Sequence, residues 1–103
     1  MAPPVAPVRL RWSEQAVRDL AEIHDYIARN SPRYAALVAE RLVAAVDRVR
    51  DFLASGRVVP ELGDPAVREV VHGAYRIVYE LGPAGAEVLT VFRASRRFPP
   101  PER

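Results

Sequence analysis

The chain has 103 residues, 50% of them hydrophobic and 27% charged, which is the size and balance of one globular domain. It contains no cysteine, so disulfides, thiolate metal sites and cysteine nucleophiles are excluded. Its two histidines, His24 and His72, are too few for a histidine-only metal site, and we expect no metal or cofactor. No apolar run approaches ~20 residues and the first residues lack a signal-peptide pattern, so we expect a cytoplasmic protein without membrane contact.

All 15 basic residues are arginines, against 13 acidic residues. Without lysine, the chain has no amine base or nucleophile, and arginine stays protonated at neutral pH. The positive surplus is small, which is unlike a bulk nucleic-acid binder. One local exception is the C-terminal stretch 93–97, where three arginines stand without an acid.

The first half of the chain predicts a strand and two helices. Residues 1–7, rich in proline and alanine, predict a flexible arm. Apolar and basic residues alternate over 8–12, which predicts a strand with one buried face. Ser13 is a good helix N-cap, and the apolar spacing that follows predicts a helix over 13–29. Ser31 and Pro32 then restart a second helix, which we expect to run to about Leu53.

The second half predicts a loop and three strands. Residues 57–66 are rich in proline and glycine and predict a loop. Strand-like runs follow over 67–72, 75–81 and 87–93, and the middle run places Tyr75, Ile77, Tyr79 and Leu81 on one face. Residues 99–103 predict a proline-rich tail. The sequence therefore predicts a single α+β domain over 8–98, with a helical hairpin packed on one face of a mainly antiparallel sheet.

This order of motifs resembles the RelE/ParE superfamily of toxins from type II toxin–antitoxin modules, also called plasmid-stabilisation proteins. The resemblance covers about residues 8–99. It is carried by the start of the first helix (13–27), by the strand residues 67–71 leading into 75–79, by the strand 88–92, and by the basic end 96–99. It implies the strand–helix–helix–strand–strand–strand fold of that superfamily.

The resemblance leaves two activities open. RelE-like members are endoribonucleases that cut mRNA on the ribosome, whereas ParE-like members are described as non-catalytic inhibitors of DNA gyrase. Arg57 and Arg76 match positions that are basic and functional in the nucleases. For proton transfer a nuclease would have Glu69 or His72, but residues three apart on a strand point to opposite faces.

Three departures from the nuclease pattern favour the ParE-like interpretation. The chain has no lysine, it has Arg93 where related sequences often carry histidine, and it has Phe98 where a late tyrosine would stand. We therefore predict a growth-arresting toxin that binds and inhibits its target, with DNA gyrase favoured. The alternatives are a RelE-like mRNA endoribonuclease and a degenerate member that only binds its antitoxin. The predicted target- or phosphate-binding residues are Arg57, Arg68, Arg76, Arg93, Arg96, Arg97 and Phe98.

The resemblance also implies a partner. Such a toxin is silenced by a cognate antitoxin encoded beside it, typically a small DNA-binding protein whose partly disordered tail folds as it wraps the toxin. A hetero-oligomer is therefore expected, alongside contact with gyrase or, alternatively, with the ribosome and mRNA. The predicted antitoxin-binding residues are Leu20, Ile23, Ile27, Val38, Leu42 and Arg76.

Overall fold

A five-stranded sheet carries two helices on one face in the computed structural model, which describes residues 9–98. The strands are β1 (Arg9–Trp12), β2 (Arg57–Val58), β3 (Val67–His72), β4 (Tyr75–Gly82) and β5 (Gly85–Arg93), and the helices are α1 (Glu14–Ala28) and α2 (Pro32–Val49). The sheet order is β1-β5-β4-β3-β2. Only the β1–β5 pair is parallel among the described strands. The predicted α+β architecture is confirmed, while the predicted arm (1–7) and tail (99–103) lie outside the described residues.

Both helices begin where the sequence predicts. The Ser13 hydroxyl oxygen accepts a hydrogen bond from the Ala16 N–H at 3.0 Å, and Ser31 accepts one from the Tyr34 N–H at 3.1 Å. Each cap satisfies a backbone donor that the first helical turn leaves without a partner. The link between α1 and α2 is short, so the two helices form the predicted hairpin.

The main core lies between α2 and the middle strands of the sheet. The apolar stripe of α2 is buried there, against Ile77 and Tyr79 of β4. Tyr75 and Leu81 pack against the same core, so the predicted common face of β4 is confirmed. The first helix adds Ala16, which is completely buried, and a row of half-buried side chains.

Two predictions about the middle of the chain are wrong. The second helix ends at Val49 rather than near Leu53, and a single 3₁₀ turn follows over Leu53–Ser55. Residues 57–58 form strand β2 rather than a loop, because they pair antiparallel with Glu69 and Arg68 of β3. The remaining residues up to 66 are irregular, as predicted.

Tyr79 explains why the helix stops early. Its hydroxyl donates a hydrogen bond to the Leu53 carbonyl at 2.6 Å and accepts one from the Gly56 N–H at 3.0 Å. Burial raises the pKa of this phenol, so it remains a donor at neutral pH. Arg68 supports the same turn, because its Nη1 donates to the carbonyls of Ala54 at 2.9 Å and Gly56 at 3.1 Å. These contacts draw the chain out of the helix and onto the sheet edge.

Gly56 is fixed by this arrangement. A Cβ at this position would lie 2.4 Å from the Tyr79 hydroxyl oxygen and 2.8 Å from the Glu69 carbonyl oxygen. We expect Gly56→Ala to lower the free energy of unfolding by about 1–3 kcal/mol, because the turn must move away from β3 and β4. Chemical denaturation measures this, with Gly82→Ala as the matched control, since its Cβ would meet nothing closer than 4.0 Å. Equal stability of the two variants would contradict the packing described here.

Candidate functional site

The sheet face opposite the helices carries a second, smaller core. Four buried residues form it: Val59, Val67, Val78 and Phe92. Leu89 and Phe98 pack against them. Two charged residues, Glu69 and Arg76, are buried on the same face. We call this surface the open face.

Arg76 lies at the centre of the open face and is only 7% exposed. Its Nε and Nη2 lie 2.7 and 2.6 Å from Oε1 of Glu69. Its Nη1 and Nη2 each lie 2.7 Å from an oxygen of Glu61, which makes that pair bidentate. All three guanidinium nitrogens are therefore engaged by carboxylates. Such paired donors are the strong form of the charge-assisted hydrogen bond.

Two aromatic rings flank the same guanidinium. The Arg76 carbon Cζ lies 5.2 Å from the centroid of Phe92 and 5.4 Å from that of Phe98. The two rings meet edge to face, with centroids 5.5 Å apart and planes at 89°. Cation–π attraction thus adds to apolar packing and fixes the end of the described chain, at Phe98, to the sheet.

Glu69 is the other buried partner, with a fully buried side chain. Arg57 binds its Oε2 across the β2–β3 pair, while Arg76 binds its Oε1. Together, the carboxylates of Glu61 and Glu69 balance the guanidiniums of Arg57 and Arg76, so this network carries no net charge. A buried carboxylate requires such compensation, because an unpaired charge in the interior costs several kcal/mol.

The network also shifts the acidity of its members. Hydrogen bonding to Arg76 lowers the pKa of the Glu61 carboxyl to about 2. The same pairing with Glu61 raises the pKa of Arg76 above its already high usual value. Both groups are therefore ionised across the physiological range, and neither exchanges a proton near neutral pH.

The structure brings together four of the predicted site residues: Arg57, Glu69, Arg76 and Phe98. His72 is not among them, since it pairs with Tyr75, whose ring packs on the helix side of the sheet. Glu69 and His72 therefore lie on opposite faces, as predicted. Arg68 is also separate, because its guanidinium holds the loop carbonyls, including that of Pro65 at 2.7 Å.

The arginines at the end of β5 form a surface separate from the Arg76 network, and we call this surface the basic end. Arg93, Arg96 and Arg97 are exposed at the end of β5 and just beyond it. None of the three forms an ion pair with an acidic residue in the described range 9–98. Their positive charge is uncompensated there, in contrast to that of Arg57 and Arg76.

The predicted antitoxin-binding residues of the helices are mostly core residues. Val38 and Leu42 are buried, and Leu20, Ile23 and Ile27 are half-buried against the same core. The apolar stripe that marks a helix also packs it on the sheet, so Val38 and Leu42 offer a partner little surface, whereas Leu20, Ile23 and Ile27 stay partly exposed. Arg76 is likewise buried and engaged. The large apolar side chains exposed on the helices are Val17, Tyr26, Tyr34, Leu37 and Val43.

Sequence reasoning missed Glu61 and Phe92. Glu61 belongs to the irregular segment between β2 and β3, where no periodicity assigns a partner to a carboxylate. Phe92 shows only as one apolar residue of a strand. Within the described range, no group of acidic or histidine side chains is arranged to hold a metal ion. No helix there has the length and apolar character needed to cross a membrane.

Comparison with known proteins assigns the family. The family model described as "ParE toxin of type II toxin-antitoxin system, parDE" matches residues 10–98. The chain belongs to this ParE toxin family. A protein of Sinorhizobium fredii (strain NBRC 101917 / NGR234) named "Putative toxin Y4kP" is 37% identical over 93 residues, covering 88% of this chain and 93% of that protein.

Two solved structures share the ParE toxin fold seen here. One is from the chromosomal ParDE system of P. aeruginosa, with a TM-score of 0.70 and 21% identity over 84% of this chain and 96% of that one. The other is from the toxin–antitoxin complex RelBE2 of Mycobacterium tuberculosis, with a TM-score of 0.54 and 22% identity over 85% of this chain and 99% of that one. At these identities the likeness concerns the fold alone.

In this ParE-family chain, Arg76 is first of all a structural residue. We expect Arg76→Met to lower the free energy of unfolding by about 3–5 kcal/mol, because Glu69 stays buried with only Arg57 to compensate it. Urea denaturation measures this, with Arg41→Met as the matched control, since Arg41 is exposed on α2. If both variants unfold at the same urea concentration, the buried network does not stabilise the fold.

The Glu61–Arg76 pair gives a specific acid dependence. The folded-state pKa of Glu61, about 2, lies below the ordinary value of 4.5. The pair therefore stabilises the fold fully above about pH 5, and this contribution is lost as the pH falls towards 2. We expect Glu61→Gln to be less stable than the parent at pH 7 and to approach it near pH 2.

Urea denaturation at several pH values tests this acid dependence. Glu40→Gln, a change at an exposed helical carboxylate, is the control and should follow the parent throughout. A stability difference between Glu61→Gln and the parent that does not change between pH 5 and pH 2 would contradict the pairing.

Proposed function

We propose that this ParE-family toxin arrests growth by binding and inhibiting a cellular target, with DNA gyrase favoured, and does no chemistry of its own. The observation that carries the proposal is the saturated network on the open face. Arg57 and Arg76 match functional positions of RelE-like nucleases, yet both bind carboxylates of their own chain. The choice of gyrase rests on family membership.

The chemistry of RNA cleavage explains why this network argues against a nuclease. Attack by a ribose 2′-hydroxyl needs a base to take its proton, an acid for the leaving oxygen, and positive charge for the phosphorane. Glu69 accepts hydrogen bonds on both oxygens and is fully buried, so it is not free to act as the base. Arg76 donates its hydrogen bonds to Glu61 and Glu69, so its N–H groups are not available to a phosphate.

The surface that best suits a target is the basic end at Arg93, Arg96 and Arg97. These side chains are exposed and uncompensated by described acids, so they can attract an acidic partner surface. Phe98 holds this end of the chain against the sheet through its contacts with Phe92 and Arg76. The arginines therefore project from a fixed base.

We further propose that a cognate antitoxin neutralises this toxin. The structures with the same fold come from the ParDE system of P. aeruginosa and from the RelBE2 toxin–antitoxin complex, in which toxin and antitoxin are paired. A toxin of this family requires such a partner in the cell that makes it. The antitoxin encoded beside the toxin gene is the expected partner.

The deciding experiment is induction of the toxin without its antitoxin, followed by pulse labelling of DNA and protein synthesis in one culture. We expect DNA synthesis to stop first and translation to decline later. If translation stops first and mRNA is cut at discrete sites, the chain is a ribosome-dependent nuclease and the gyrase proposal fails.

The basic end can be tested separately. We expect the double change Arg96→Ala, Arg97→Ala to weaken growth arrest by about tenfold or more while leaving the thermal unfolding midpoint unchanged, because exposed charges contribute little to stability. The matched control is Arg33→Ala, Arg41→Ala, which removes two exposed arginines from α2. Equal toxicity of the two double variants would show that the basic end does not contact the target.

A further inference from the structure

A cleft lies at the sheet edge formed by β2 and β3, where β2 stops short of the end of β3. Strand β2 pairs with Arg68 and Glu69, whereas β3 continues to His72. The cleft has a volume of about 390 Å³, and clefts that take small ligands measure about 300–1,000 Å³. Its apolar floor is formed by Ala45, Val49 and Val70, and its polar rim by Arg48, Ser55 and His72.

The main chain of β3 adds an N–H donor to this cleft. Alternate residues of a strand direct their main-chain groups to opposite sides. The Ala66 carbonyl accepts a hydrogen bond from Leu81 of β4, and the Val67 carbonyl accepts one from Val59 on the β2 side. Residue 71 therefore faces the β2 side, like residue 67. Because β2 does not extend that far, the Val71 N–H and carbonyl have no strand partner there.

The 3₁₀ turn before β2 keeps this N–H open. If β2 continued in register, Ser55 would lie opposite Val71. Instead, the Ser55 N–H donates to the Phe52 carbonyl at 2.9 Å within the turn. The hydrogen bonds of the Tyr79 hydroxyl hold the turn in this position. The gap beside Val71 is therefore part of the fold.

The polar side chains of the rim are also without partners. Within residues 9–98, no hydrogen bond or ion pair engages the side chain of Arg48, Ser55 or His72. Glu69 also lines the cleft, but its carboxylate is buried and bound by two arginines of the open face. The positive charge of Arg48 is therefore not balanced by a carboxylate in the cleft, so the cleft attracts an anion.

These donors suit a phosphate better than a carboxylate. They come from α2, from the 3₁₀ turn and from β3, so they approach the cleft from different sides. Phosphate oxygens are arranged tetrahedrally, and arginine, hydroxyl and backbone N–H groups are their usual donors in nucleic-acid complexes. A carboxylate has two oxygens in one plane and is typically bound by the fork of a single arginine. The apolar floor can contact the organic group that a phosphate ester carries.

We propose that this cleft binds the phosphate group of a nucleotide, either free or within a single-stranded nucleic acid. The phosphate lies among Arg48, His72 and the Val71 N–H, and the nucleoside packs on the apolar floor. The histidine ring has an N–H donor in either charge state. The site is separate from the Arg76 network, and it depends neither on gyrase nor on an antitoxin.

Two-dimensional NMR of the isotope-labelled full-length toxin tests this site. The probes are AMP, acetate and a single-stranded oligothymidylate of about five nucleotides, at one ionic strength. We expect saturable shifts of the Ser55 and Val71 amides with AMP and with the oligonucleotide. Acetate should bind at least about tenfold more weakly than AMP, because it leaves several donors and the apolar floor unused.

Two arginine variants separate a specific contact from a general attraction of charge. Arg48→Gln should weaken AMP binding by about tenfold or more, because a charge-assisted hydrogen bond is lost. The matched control is Arg50→Gln, which removes the same charge two residues along. Arg50 pairs with Asp47 and does not line the cleft, so this variant should keep the affinity of the parent.

The outcomes distinguish the ligand sources. Tighter binding of the oligonucleotide than of AMP supports a nucleic-acid strand as the ligand, and equal binding supports a free nucleotide. Absence of a saturable shift at the Val71 amide of the parent would overturn the proposal, as would equal losses in Arg48→Gln and Arg50→Gln. Acetate that binds as tightly as AMP would also overturn it, in favour of an acidic protein segment.

Discussion

The ion pair between Arg76 and Glu69 is the contact on which the open face of this protein depends. Arg76 lies on β4 and Glu69 on β3, so this ion pair links two neighbouring strands of the sheet. Arg76 also binds Glu61 in the irregular segment after β2. Its guanidinium packs against the ring of Phe98. One side chain thus joins two strands, a loop and the end of the described chain.

This role changes how the chemistry of the open face is interpreted. Arginine is the residue best suited to grip a phosphate, through planar paired donors. Here Arg76 makes such a paired contact, but it binds the carboxylate of Glu61, with 2.7 Å from Nη1 and from Nη2 to one oxygen each. The N–H donors that would stabilise a phosphorane instead bind carboxylates that hold the fold together. Loss of toxicity on substituting Arg76 would therefore report on folding before it reported on contact with a target.

Much of the fold could be predicted because it follows from local sequence patterns. Period-two alternation predicted β4, and the serines before each helix predicted both starts. The end of α2 could not be predicted, since it depends on Tyr79, which lies 26 residues from Leu53 along the chain. Strand β2 has only two residues, Arg57 and Val58, which is too short for any periodicity to show.

The arginines of the candidate site could be predicted, but their pairing with carboxylates could not. The sequence marked Arg57, Arg76 and Glu69, and the structure brings them together. Whether an arginine is free or compensated depends on carboxylates placed by loop geometry, and Glu61 has no sequence signal of that kind. The predicted antitoxin-binding residues of the helices stay a prediction for a related reason, since one apolar pattern serves both core packing and docking.

The arginines proposed to contact the target lie beside a groove at the end of β5, and their position indicates how neutralisation would work. A groove of about 1190 Å³ between α1 and Phe98 is lined by Arg93, Arg96 and Arg97, which are also the residues proposed to contact the target. An acidic antitoxin segment bound there would cover those arginines and remove them from the surface. Neutralisation would then need no change in the conformation of the toxin, because the antitoxin and the target would compete for the same charges.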